Sequence, residues 1–93
     1  MQYIFDPEKN KKLKMERGVN FEDAILAIAE GGVLDVKKHP NVKKYPNQWV
    51  AILQIENYAY QMPFVVKNDF IFLKTVFASR EATKYYLKNG GKL

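Results

Sequence analysis

The sequence contains no cysteine and only one histidine among its 93 residues. The lack of cysteine excludes a disulfide framework and a thiolate metal cluster. One histidine and dispersed carboxylates give no spacing that resembles a ligand set, so we expect neither a metal nor a cofactor. The start shows no basic and apolar signal peptide, and apolar runs such as 64–66 are too short to span a membrane. We therefore expect a soluble, cytoplasmic protein with no membrane partner.

Hydrophobic residues make up 47% of the chain, and no change in composition divides it, so we expect one domain over 1–93. The formal net charge is +5. The segment 21–35 holds four of the ten acidic residues and none of the fifteen Lys and Arg residues. The rest of the chain is therefore strongly basic, which suits a phosphate backbone or an acidic partner protein, although a solvated basic surface is equally compatible.

Two helix starts lie near the beginning of the sequence. Asp6 followed by Pro7 can cap and begin a helix, which we predict over 7–17. Asn20 with Asp23 three residues later predicts a second helix directly afterwards. Glycines follow both segments and predict where the helices end.

The remainder of the chain is dominated by aromatic and β-branched runs. The predicted strands are 33–36, 49–55, 58–66 and 70–77, with a turn-rich loop over 37–48. Glu56 and Asn57 predict a tight hairpin, and Pro63 predicts a sheet edge or a bulge. Ser79 can cap a last helix over 80–89. The order α-α-β-β-β-β-α predicts a small α+β domain with a mainly antiparallel sheet packed against helices.

The last predicted strand carries large apolar side chains on both faces. Phe70, Phe72 and Val76 would share one face, while Ile71, Leu73 and Phe77 would share the other. One face is expected to meet the helices. The other face is covered either by a partner or by a helix of the chain itself, and the sequence leaves both possibilities open.

Three motifs together resemble the BrnT family of type II toxins. They are Asp6-Pro7-x-Lys9, Gly18-Val19-x-Phe21-Glu22-x-Ala24 and Ser79-Arg80-Glu81-Ala82-Thr83. The resemblance implies a RelE-like ribonuclease that cleaves mRNA, free or at the ribosome, and inhibits translation. It also implies a ribbon-helix-helix antitoxin that neutralises the toxin and represses their shared operon, with a dimer or a heterotetramer as the assembly.

Cleavage of RNA without a metal needs a base, cations for the charge on phosphorus, and an acid. Arg80 is our first candidate for the cation, because its guanidinium suits phosphate oxygens and it would begin the last helix. Lys74 is either a phosphate contact at the rim of the sheet or an edge side chain in solvent. His39, the single imidazole of the chain, is either the base or a turn residue.

The remaining candidates would bind RNA rather than react with it. The RNA-binding candidates are Lys12, Arg17, Lys43, Lys44 and Tyr45. The cations would follow the phosphate backbone and the tyrosine would stack on a base. The alternative function is a non-enzymatic module whose basic surface docks an acidic partner protein or DNA.

Overall fold

The structure, a computed structural model, describes residues 2–88 and consists of short helices and one sheet. The first half holds β1 (Gln2–Ile4), α1 (Pro7–Arg17), α2 (Phe21–Ala29) and β2 (Val33–Lys38). The second half holds β3 (Gln48–Ile55), β4 (Tyr58–Lys67), β5 (Phe70–Leu73), β6 (Phe77–Ala78) and α3 (Arg80–Ala82). A π-helical segment (Thr83–Lys88) continues α3, and we call residues 80–88 the terminal helix. The predicted end of this helix at residue 89 lies outside the described residues.

The six strands form one mixed sheet in the order β1-β5-β4-β3-β2, and β6 also pairs with β4. Every pairing is antiparallel except that of β1 with β5, which is parallel. The predicted α+β class is therefore confirmed. The predicted helix-first order is wrong, because β1 precedes α1. A strand of three residues is too short to show an alternating pattern in the sequence.

The two predicted helix caps are present and fix how the chain enters α1 and α2. The Asp6 carboxylate accepts the backbone N–H of Glu8 at 2.9 Å. Asn20 and Asp23 form a capping box, in which each side chain accepts the other residue's backbone N–H. Gly18 ends α1 with a φ of 71°, a left-handed conformation that glycine adopts without strain. These local signals are the reason that the helix boundaries could be predicted.

Both helices pack on one face of the sheet, which we call the helix face. The core there is formed by Leu13, Val19, Phe21, Ala24, Ala51, Leu53, Met62, Leu73 and Val76. Asn10 ties the two helices together, since its side-chain oxygen accepts the backbone N–H of Phe21 at 2.8 Å. Its amide group also donates to Glu22 at 3.1 Å.

The opposite face of the sheet is covered in part. The terminal helix packs there through Ala82, against a small cluster that includes Ile52 and Ala59. Toward β1 and β5 the same face keeps three large apolar side chains in solvent: Ile4 is 40% exposed, Phe70 41% and Phe72 37%. The predicted covering helix is therefore present over one part of this face, and cover of the remaining part by a partner stays a prediction.

The predicted strand 70–77 is interrupted at residues 74–76. β5 ends at Leu73, and Val76 turns into the core of the helix face, where it is fully buried, instead of sharing a face with Phe70 and Phe72. Pro63 of β4 lies beside this interruption, and its carbonyl accepts the backbone N–H of Lys74 at 2.9 Å.

The interruption explains how β4 can contain a proline although it lies inside the sheet. In an antiparallel strand the N and C=O of one residue point to the same side, so the nitrogen of Pro63 faces the gap between β5 and β6. The predicted edge position for Pro63 is therefore wrong, whereas the alternative prediction of a bulge is confirmed, because residues 62–63 of β4 stand opposite residues 74–76. Proline has no backbone N–H to donate, and Pro63 lies where the hydrogen bonds between β4 and its neighbours on this side are already interrupted.

Among residues 2–88, no helix has the length and apolar character needed to cross a membrane.

Candidate functional site

Arg80 is exposed at the first position of the terminal helix, and the residues around it are firmly held. The hydroxyl of Ser79 accepts the backbone N–H of Ala82 at 3.1 Å. The hydroxyl of Thr83 accepts the backbone N–H of Ala59 at 2.9 Å and donates to the Ser79 carbonyl at 2.7 Å. The helix start is thus fixed to β4. Its α-helical part has only three residues, however, so a helix dipole adds little to the guanidinium of Arg80.

Arg17 has a structural contact that the sequence did not reveal. Its Nη1 donates to the backbone carbonyl of Val76 at 3.0 Å, across 59 residues of sequence. This contact places the end of α1 beside the segment 74–76, and therefore near the backbone of Lys74. The side chain of Lys74 is exposed. Arg17 and Lys12 also line one shallow hollow on the surface of α1.

A second group of candidates meets in the loop between β2 and β3. We call His39, Lys44 and Tyr45 the loop cluster. The rings of His39 and Tyr45 lie with centroids 4.4 Å apart, and the Lys44 ammonium is 5.5 Å from the Tyr45 centroid. Asn41 organises the turn, because its side chain accepts the backbone N–H of Lys44 and its carbonyl accepts that of Tyr45. Lys43 lies between Asn41 and Lys44 in the sequence and is exposed.

The ring of His39 has a defined orientation. Its Nδ1 accepts the backbone N–H of Asn41 at 3.0 Å, so the neutral imidazole carries its proton on Nε2. This geometry presents an N–H donor to a ligand. It suits hydrogen bonding to a phosphate oxygen better than the base role predicted from the sequence, since a base needs a free ring nitrogen.

The loop cluster and Arg80 lie toward opposite ends of the sheet. The backbone N–H of His39 pairs with Gln48, whose partner on β4 is Val65, whereas the backbone N–H of Ser79 pairs with Ala59. Positions 59 and 65 lie six residues apart on one strand, roughly 20 Å at about 3.3 Å per residue. The structure therefore brings His39, Lys44 and Tyr45 together but does not join them to Arg80.

A polar network beneath the terminal helix was not predicted. The hydroxyl of Tyr86 donates to the Asp35 carboxylate at 2.5 Å, and the Lys37 ammonium lies 5.8 Å from the centroid of the Tyr86 ring. The hydrogen bond from Tyr86 lowers the pKa of Asp35. The Tyr86 hydroxyl raises the pKa of Lys37, and burial followed by the bond to Asp35 raises the pKa of Tyr86. Spacing of two along β2 already placed Asp35 and Lys37 on one face, but the sequence could not show that Tyr86 meets them.

Within the described part of the chain, no three His, Asp or Glu side chains are grouped as metal ligands would be. Comparison with known proteins gave no match to a protein-family model or to a curated protein. The resemblance to BrnT toxins therefore rests on the three sequence motifs alone.

Proposed function

We propose that the chain is the toxin of a type II toxin–antitoxin pair, which binds messenger RNA, cleaves it without a metal and so inhibits translation. The sequence motifs suggest this class, and the RelE-like fold belongs to the same proposal. The observation that carries the RNA-binding part is the loop cluster. There an imidazole, a phenol ring and an ammonium group lie together on an exposed basic loop.

This arrangement suits a single-stranded nucleic acid. Aromatic side chains stack on unpaired bases whatever their identity, and nearby ammonium groups contact the phosphates. Tyr45 is 37% exposed and its ring also contacts His39, so part of the ring can be reached by a base. Lys43 and Lys44 supply the charge.

Cleavage on this surface would rely on electrostatic stabilisation. In the reaction the ribose 2′ oxygen bonds to phosphorus and the bond from phosphorus to the 5′ oxygen breaks. His39 would donate its Nε2–H to a phosphate oxygen and Lys44 would offset the developing negative charge. Water would take the 2′ proton and protonate the leaving 5′ oxygen. Arg80 and Lys74, which lie elsewhere, would contact the strand further along.

Tyr45→Ala tests the RNA-binding part of the proposal. Loss of one stacked base should weaken binding of a single-stranded RNA about tenfold, measured by fluorescence anisotropy, and should slow cleavage in the same proportion. The matched control is Tyr3→Ala, because Tyr3 is also 37% exposed but lies on β1. Equal binding by both variants would refute the role of the loop cluster. Absence of cleavage by the unmodified protein, with and without ribosomes, would remove the enzymatic part.

A second candidate function is a non-enzymatic module that docks an acidic protein, such as a ribbon-helix-helix antitoxin, or DNA. The separation of Arg80 from the loop cluster favours it, as does the apolar surface formed by Ile4, Phe70 and Phe72. Growth after induction separates the two candidates. A toxin should arrest growth and be rescued by a small neighbouring reading frame, whereas a docking module should leave growth unchanged.

A further inference from the structure

A hollow of about 470 Å³ lies between the terminal helix and the sheet. Its floor is apolar, since Ile52 of β3 and Ala82 of α3 are both buried. Tyr85 and Tyr86 of the π-helical segment line it with two rings, whose centroids lie 4.7 Å apart at an angle of 79°. An apolar floor and aromatic walls of this size are typical of sites that take a small flat molecule.

Three polar side chains from different elements also line the hollow: Lys37 of β2, Gln61 of β4 and Glu81 of α3. Gln61 is held in place because its Nε2 donates to the Ser79 hydroxyl at 3.2 Å, which leaves its carbonyl oxygen free to accept. Tyr86 is held by its bond to Asp35. The hollow is therefore built from side chains that the fold already orients.

The charges of the hollow favour a neutral ligand with both donors and acceptors. Lys37 contributes one positive charge and Glu81 one negative charge, while the Asp35 carboxylate is engaged by Tyr86. A phosphate group would meet the carboxylate of Glu81, and an amine would meet the ammonium of Lys37. A polar heterocycle avoids both conflicts.

We propose that this hollow binds a guanine base, which, given the proposed function, would be a guanine of the RNA strand. Guanine presents O6 and N7 as acceptors and N1–H and the N2 amino group as donors. The ammonium of Lys37 donates to O6, the carboxylate of Glu81 accepts from N1–H and N2, and the ring packs against Tyr85.

Adenine reverses this pattern, because an amino group replaces O6 and N1 carries no hydrogen. With adenine in the same position, the Lys37 ammonium would face an amino group and the Glu81 carboxylate would face N1 without a hydrogen, so both hydrogen bonds would be lost. Arg80 and Lys84, both exposed on the terminal helix that carries Glu81, are placed to contact flanking phosphates. The same chemistry would also accept the base of a free guanine nucleotide.

The test is a titration of the isotope-labelled full chain, followed by NMR, with GMP, AMP and the oligoribonucleotides UUGUU and UUAUU. We expect GMP and UUGUU to shift the resonances of Ile52, Ala82 and Tyr85 and to bind about tenfold more tightly than the adenine compounds. Glu81→Gln should abolish this preference, whereas Glu16→Gln, an exposed change on α1, should preserve it.

Each result has a defined meaning. Preference for UUGUU without binding of GMP would identify RNA as the source of the base, and tight binding of GMP alone would identify a free nucleotide. In that second case the proposed RNA function fails while the guanine site stands. Equal binding of guanine and adenine compounds, or preference that survives Glu81→Gln, would overturn the guanine site and leave the RNA function untouched.

Discussion

Tyr86 connects the terminal helix to the sheet through a single hydroxyl group. Its bond to Asp35 joins residues 51 positions apart and helps to hold the π-helical segment against β2. A hydrogen bond to an ionised carboxylate stabilises a fold more than one between neutral groups. The contribution of this bond therefore depends on whether Asp35 is ionised.

Tyr86→Phe should lower the free energy of unfolding by about 1 kcal/mol at pH 7. The fold lowers the pKa of Asp35 below its ordinary value of 3.8, so this carboxylate stabilises the folded state above that pH and ceases to do so as pH falls through the lowered pKa. The difference in free energy of unfolding between the two proteins should accordingly shrink as the pH falls from about 5 to about 2. Urea denaturation across this range measures it.

The neighbouring Tyr85 provides the control for this prediction. Tyr85→Phe removes a hydroxyl from the same segment while keeping the bond between Tyr86 and Asp35. It should change stability little and without the same dependence on pH. A loss in Tyr86→Phe that is equally large at every pH would mean that packing of the ring, and not ionisation of Asp35, sets the contribution.

At the scale of elements, features set by a few adjacent residues could be predicted and those set by distant contacts could not. Asp6 and Asn20 predict the helix starts, because a capping side chain bonds to a backbone N–H within three residues. The hairpin at Glu56-Asn57 is equally local. The break of the last strand lies opposite Pro63, which predicted a bulge without showing which strand would carry it. The loop cluster depends on how residues 39–47 fold back, so neither feature could be located from local sequence.

The end of α1 shows how one contact across the fold supports the broken strand. Arg17→Leu should lower the free energy of unfolding by about 1 kcal/mol, because the carbonyl of Val76 loses its donor. Lys14→Leu is the matched control, since Lys14 lies in the same last turn and its charge has the same favourable position in the helix dipole. Thermal melts of the three proteins make the comparison. Equal melting of both variants would mean that the bond from Arg17 to Val76 adds no stability to the fold.

At the scale of the whole molecule, charge is segregated. The charged residues of segment 21–35 are all acidic, and α2, which lies within it, packs on the helix face. In the rest of the chain, basic residues outnumber acidic ones. A net charge of +5 attracts any polyanion, so binding of RNA alone does not identify a site. The dependence of RNA affinity on salt concentration can identify one, because its slope is proportional to the number of phosphates contacted.

Lys44→Ala should remove one phosphate contact and so make the RNA affinity less dependent on salt concentration. For a single strand, the slope of log K against log salt concentration changes by about 0.7 for each phosphate that is neutralised. Lys14→Ala removes the same charge from α1, outside the loop cluster, and should lower affinity slightly with no change in slope. Affinities measured from about 50 to about 300 mM salt give the comparison. If both variants lower the slope equally, RNA is held by the overall charge, and the loop cluster has no special part in binding.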